Sequence, residues 1–418
     1  MPSIKINFKF RSFQMKKFYL SLVCFILIAA SVMLAGCSSE NVESAGQEHE
    51  VTVEPSAEPT PEPTPTPVPV YEVLGIEYPA DAEYIDLADI TPEEVDATAE
   101  ILSKFDNITE INLMKEDGTC ALEAYEIHPL REVASGAVFD VSFELFGLTA
   151  DNSTEELRYE WVKIGDDGIE KFRDALPYLS SLKLLRLKNC GVDNDLMDAL
   201  RSDFPEVNIV WSVLIGGYPY MTDTTRVCTT LINDENVYLL KYLKDVLYLD
   251  TGHNQKITNI DFVRYFPKLQ VCIVAITKIS DLTPLQECPE LEYLEIFSTR
   301  VSDLSPLSTL TKLEHLNIGN LPNLEDISPL YGLTSLKRLR IDSKNKVPHE
   351  QKDKIMELIP DCDFQLQGGG PTSYTWRFNA DGSYVERYAL LREQMDYDNT
   401  WQNRQSNSPS EETVNPDE

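Results

Sequence analysis

The chain is poor in histidine and in positive charge. Five histidines in 418 residues supply no catalytic constellation. His349-Glu350 opens a HExx stretch, but it ends at Asp353 where a zinc protease needs a second histidine. Cysteine is sparse too, eight in all, with no CxxC pair and no Cys/His cluster, which excludes a zinc ribbon or a redox dithiol. The triple glycine Gly368-Gly369-Gly370 lacks the lysine and hydroxyl of a phosphate loop, and no nucleophile elbow occurs. Lysine and arginine number 36 against 69 acidic residues, a balance that nucleic acid and anionic lipid both repel. No enzyme, no resident metal and no cofactor is implied.

Positive charge is concentrated at the start. Lys5, Lys9, Arg11, Lys16 and Lys17 precede an uncharged apolar stretch from Phe18 to Gly36, the charged and hydrophobic regions of an export signal. The stretch ends in Leu34-Ala35-Gly36-Cys37, which resembles the lipobox of bacterial lipoproteins. That resemblance implies diacylglycerol on the Cys37 thiol and cleavage before it, leaving a lipid-anchored N-terminus. An uncleaved signal anchor is the alternative, since about 18 apolar residues also span a bilayer. Both readings place the remainder on the extracellular side. Removing residues 1–36 leaves 31 basic against 69 acidic residues, a formal charge of −38. Six cysteines then remain, Cys120, Cys190, Cys228, Cys272, Cys288 and Cys362, either core positions or disulfide partners.

Beyond the anchor the sequence turns polar, and prolines alternate from Pro55 to Pro69. Such a run favours extended polyproline II, and at about 3.1 Å per residue some thirty residues reach roughly 90 Å. The expected organisation is a signal peptide over 1–36, a disordered stalk over 37–75, an N-terminal cap with degenerate repeats over 76–180, repeats over 181–358, a C-terminal cap over 359–401 and a disordered tail over 402–418.

The repeats carry the strongest signal. Val246, Leu269, Leu291, Leu313 and Leu336 are separated by 23, 22, 22 and 23 residues. Two units read Leu269-x-x-Cys272-x-Val274 and Leu291-x-x-Leu294-x-Ile296, each followed by a polar Thr277 or Thr299 and by Ser-Asp-Leu-x-Pro-Leu. A coil of about 22 residues cannot bury its own apolar edge and must stack on neighbours. The pattern is that of leucine-rich repeats, and its 22-residue form resembles the repeats of bacterial internalins over roughly residues 246–345. The resemblance implies an α/β solenoid with parallel strands on a concave face, helical or 3-10 returns on the convex face, and terminal caps.

Upstream the signal is weaker but continuous. Leu182-x-x-Leu185-x-Leu187-x-x-Cys190 fits the same template with Cys190 in the turn. Asp193 to Phe204 reads as a helix closed by Pro205. Phe139 to Gly147 and Ile209 to Gly217 alternate apolar residues 70 positions apart and end in glycine, as strands do. Ile85-Asp86-Leu87 and Ile111-Asn112-Leu113 are read as degenerate first repeats or a cap. At the far end Tyr384 to Met395 reads as a helix covering the last coil.

Two features bear on binding. Asn259, Asp281, Asp303 and Asp326 recur once per coil; turn capping explains them, and calcium is the alternative. The template also assigns residues that face outward from the strands: Tyr248 and Asp250, Val271 and Ile273, Tyr293, Glu295 and Phe297, His315 and Asn317, Arg338 and Arg340. Contiguous aromatic and aliphatic side chains on such a face mark an interaction site, unless a C-terminal segment covers them. A register error of one residue would exchange inside for outside. The expected function is a cell-surface lipoprotein that binds a protein or glycan through this face, with a structural role in the envelope as the alternative.

Overall fold

The computed structural model describes residues 68–342, 344–366 and 374–399. The signal segment, Cys37, most of the Pro-rich stalk, the triple glycine and the 402–418 tail lie outside the described residues. Seven short parallel strands stack in chain order, Arg226–Cys228, Tyr248–Asp250, Val271–Ile273, Tyr293–Glu295, His315–Asn317, Arg338–Arg340 and Asp363–Gln365. Leu249, Cys272, Leu294, Leu316 and Leu339 lie opposite one another across this ladder, and all are fully buried. The inward register is therefore as the template places it.

Each coil closes by the same devices. A residue just past the strand takes a left-handed conformation, His253, Ile276, Ser298 or Asn320, with φ between 51 and 64°. The next side chain then ties the turn. Thr277 and Thr299 donate to the carbonyls of Val274 and Ile296 at 2.7 and 2.8 Å, while Asn254 donates to Thr229 and Thr251 and accepts from the amide of Ile232 in the preceding coil. On the return, the amides of Thr283, Ser305 and Ser328 donate to Asp281, Asp303 and Asp326, each at 2.8 Å. Asn259 does the same for Asp261. The acidic column is thus occupied by capping. Single 3-10 turns follow, Thr283–Glu287, Ser305–Thr309 and Ser328–Leu330, with proline near the start where no amide donor is lost.

The first part of the chain builds the same solenoid less evenly. Tyr84–Asp86, Glu110–Asn112 and Val138–Asp140 form a three-stranded parallel sheet in which Ile85, Ile111 and Phe139 share the core position. Glu156–Glu160, Leu184–Lys188 and Asn208–Ile215 form a second set. Each triplet ends in a hairpin, Ser142–Leu145 with Leu148–Asp151 and Asn208–Ile215 with Tyr218–Met221. The two hairpins are fixed alike: the Val141 amide donates to Asn152 at 3.0 Å, and the Trp211 amide, 70 residues on, donates to Thr222 at 3.2 Å. The 70-residue echo in the sequence is therefore a repeated module of three coils and a hairpin. Returns here are α-helices such as Asn194–Asp203, capped by Asp193 through the Leu196 amide.

One hydrophobic cluster runs from Val73 to Cys362 through both parts. All six described cysteines are free thiols. Cys190 donates weakly to the carbonyls of Lys188 and Tyr159, a structural place, and burial pushes the Cys288 thiol up to about 11.

Three boundaries differ from the expectation. Folding begins inside the expected stalk, because Val70–Val73 pairs with Ile76–Pro79 around a Leu74-Gly75 turn with positive φ at both residues, a hairpin the neighbouring prolines disguise. The coils continue past 358 to the strand Asp363–Gln365. Residues 374–399 do not cap the last coil but lie across the outer face of the seven-stranded sheet. The reason is chemical: that face is where their aromatic residues find partners.

Candidate functional site

The outward positions of the seven strands carry Cys228, Val271, Ile273 and Tyr293, and the loop beyond the fourth strand adds Phe297. These form a hydrophobic cluster separate from the main core. Its other members are Ala275 and, from the C-terminal segment, Trp376, Tyr388, Leu391, Met395 and Tyr397. The helix Glu386–Met395 turns Tyr388, Leu391 and Met395 to one side, a spacing of i, i+3 and i+7 that makes one apolar stripe. Tyr293 and Trp376 rings meet at 6.2 Å, and the Arg387 guanidinium lies 4.8 Å from the Tyr293 ring centre, within cation–π range.

Two carboxylates on the face anchor the segment. Glu295 is fully buried; its Oε1 accepts from the Trp376 indole N–H at 2.7 Å and from the Tyr293 hydroxyl, and its Oε2 faces Arg377 at 3.3 Å. Asp250 accepts from the Tyr397 hydroxyl at 2.6 Å and from the Gly252 amide at 2.9 Å. Burial holds the Asp250 carboxyl above its ordinary range, against the lowering effect of the Tyr397 bond. At the edge Arg226 pairs with Asp396 at 2.7 Å.

The remaining outward residues are also covered. His315 stacks on Tyr293 at 5.9 Å. Burial, with Arg387, Lys337 and Arg338 nearby, pushes its imidazole down to about 3. Asn317 and Arg340 are fully buried, and Arg338 pairs with Asp363 at 3.0 Å and lies 5.4 Å from the Trp376 ring centre.

The structure thus brings the eleven outward residues together on one face, as the template requires. Of the two expectations for this face, open or covered by a C-terminal segment, the structure shows the covered one. Ile273, Tyr293 and Phe297 are at most 4% exposed, while Tyr248 and Asp250 are half-buried. Tyr293 and Phe297 fill a core of their own, and neither arginine is a free basic end. Sequence reasoning missed the strand Arg226–Cys228 and all the partners in the segment. The i, i+3, i+7 spacing of Tyr388, Leu391 and Met395 was the available signal.

The fold is a leucine-rich-repeat solenoid. No protein-family model matches the sequence, and no curated protein matches it. Among solved structures, an internalin from Listeria monocytogenes is similar at 19% identity and a TM-score of 0.33, over 69% of this chain and 88% of that one. Internalin C2 of the same organism is similar at 19% identity and a TM-score of 0.30, over 68% and 99%. A leucine-rich-repeat protein of Leptospira interrogans is similar at 15% identity and a TM-score of 0.29, over 63% and 74%. The reading of the face rests on its own geometry. Among the described residues no helix is long and apolar enough to cross a membrane, and no group of three or more His, Cys, Asp or Glu is placed to hold a metal ion.

Proposed function

We propose that this chain is a bacterial cell-surface binding protein, held by lipid on Cys37, raised on a Pro-rich spacer, and engaging a protein partner through the outer face of strands 226–365. The observation that carries the reading is chemical. The face receives a helix through aromatic anchors and two carboxylates, and aromatic and arginine contacts of this kind dominate protein interfaces. A helix with apolar anchors favours a protein over a glycan, which would ask for exposed polar groups.

The second reading, a structural part of the envelope with no soluble ligand, is favoured by the same face being occupied already. Photo-crosslinking on cells separates them. A photoreactive residue at the half-buried Tyr248 is expected to trap one foreign protein, whereas the same residue at Tyr265, exposed on a return, is expected to trap none. Equal adducts from both positions, or adducts only with copies of itself, support the envelope reading. Anchoring is tested separately: Cys37→Ala is expected to abolish incorporation of a fatty-acid probe, and label persisting in the variant removes the lipid anchor.

A further inference from the structure

We infer that residues 374–399 are an intramolecular stand-in for the partner, and that the partner enters as an amphipathic helix with apolar anchors at i, i+3 and i+7 and a Trp-Arg pair upstream. This rests on the reading of the face as a binding surface, and adds the kind of partner it fits.

Three observations carry it. The main core is complete without the segment: the cluster that runs from Val73 to Cys362 contains no residue of 374–399, which packs only on the second cluster. Removing the segment therefore opens no void in the solenoid. Second, a face built only to be sealed would be apolar, yet this one carries Asp250 and Glu295. Carboxylates drawn out of water, Glu295 fully and Asp250 in part, need donors, and the segment supplies Tyr397, Trp376 and Arg377. With the segment away, water supplies them instead, so the face is tolerable both empty and filled. Third, the helix Glu386–Met395 spans ten residues, too few to persist alone in water. It is helical because the face orders it, the usual behaviour of a helix laid in a groove.

A tethered occupant of this kind lowers apparent affinity by the fraction of time it holds the face. The probe is a labelled peptide of residues 374–399 added to the full chain. Leu391→Ala with Met395→Ala loosens the resident segment without touching the face. The loosened chain is expected to bind the probe at least tenfold more tightly than the wild type, and Glu295→Gln added to it is expected to remove that gain. No gain, or a gain that survives Glu295→Gln, overturns the inference.

If the loosened chain unfolds, hydrogen exchange on the wild type decides. Amides of 386–395 are expected to exchange at least a hundredfold faster than those of Leu294 and Leu316. Equal protection makes the segment part of the fold and overturns the inference. The two readings fail separately: probe exchange with no foreign adduct from Tyr248 removes the external partner, whereas a foreign adduct without probe exchange leaves a binding face and removes the stand-in.

Discussion

The same strand position has opposite fates in the two parts of the solenoid. In the first, outward Tyr84 and Val138 are 46% and 54% exposed, and Glu156, Arg158 and Glu160 line a solvated edge. In the second, outward Tyr293 and Glu295 are 2% and 0% exposed. The backbone template does not decide which face is covered; the side chains it displays do. A scatter of charges with isolated apolar residues stays in water, whereas adjacent Val271, Ile273, Tyr293 and Phe297 recruit a segment more than seventy residues downstream in sequence.

What the two parts share is tested by the largest expected effect. Leu294→Ala removes a fully buried side chain from the continuous core and is expected to cost about 2–5 kcal/mol. Because one cluster joins both parts, exchange of the Leu185 and Leu316 amides, followed across a denaturant titration, is expected to shift together. A shift at Leu316 alone would show that the parts unfold independently.

Acid sharpens the contrast, because His315 belongs only to the covered face. Its pKa falls from about 6.5 in the unfolded chain to about 3 when folded. A lowered cationic group favours the folded state while neutral, so its contribution is full above pH 6.5 and is lost as pH falls toward 3. Between pH 7 and 4.5 the loss is about 2–3 kcal/mol. Protonation would also set a second cation beside Arg387 of the segment. His315→Gln is expected to flatten that part of the stability curve in urea titrations at the two pH values. An unchanged pH difference would mean that the imidazole is solvated and the segment loosely held.

The repeated module makes a paired prediction within the first part. Asn152→Ala and Thr222→Val each leave a main-chain amide of a hairpin without its side-chain acceptor and are expected to cost about 1–3 kcal/mol. Similar penalties at positions 70 residues apart would support one module used twice. A penalty at only one would show that the likeness stops at the backbone.

How much of this was legible follows from how local each cause is. The 22-residue spacing of Leu269, Leu291 and Leu313 is a stacking constraint written along the chain, so coils, register and capping aspartates could all be read. Arg226–Cys228 escaped because its return, through Asn233 and Asn236, lacks the Ser-Asp-Leu-x-Pro-Leu signature. The hairpins betrayed themselves by alternation and glycine, but not their place between coils. The cover over the face was least legible, since the bond from Trp376 to Glu295 joins residues 81 apart. No local pattern encodes such a pairing, and a helical stripe says only that something apolar must be met.

The smallest effect asks what holds the covering segment at its end. Asp396 takes a left-handed conformation, φ 52° and ψ 43°, where the helix stops, and its carboxylate pairs with Arg226 on the first of the seven strands. Asparagine is at home in the same conformation, so Asp396→Asn removes the charge while sparing the turn. The pair is partly exposed, its side chains 45% and 26% accessible, and such pairs contribute about 0–1 kcal/mol and are screened by salt. The variant is therefore expected to lose less than about 0.5 kcal/mol in low salt and nothing measurable in 1 M salt, where the wild type loses the same contribution. Exchange of the 386–395 amides, followed at both salt concentrations, is the measurement. A loss well above 1 kcal/mol that persists in high salt would place the main attachment at this edge. The aromatic anchors and Glu295 would then be secondary, and the covered face would differ from the open one by a single clasp instead of by its chemistry.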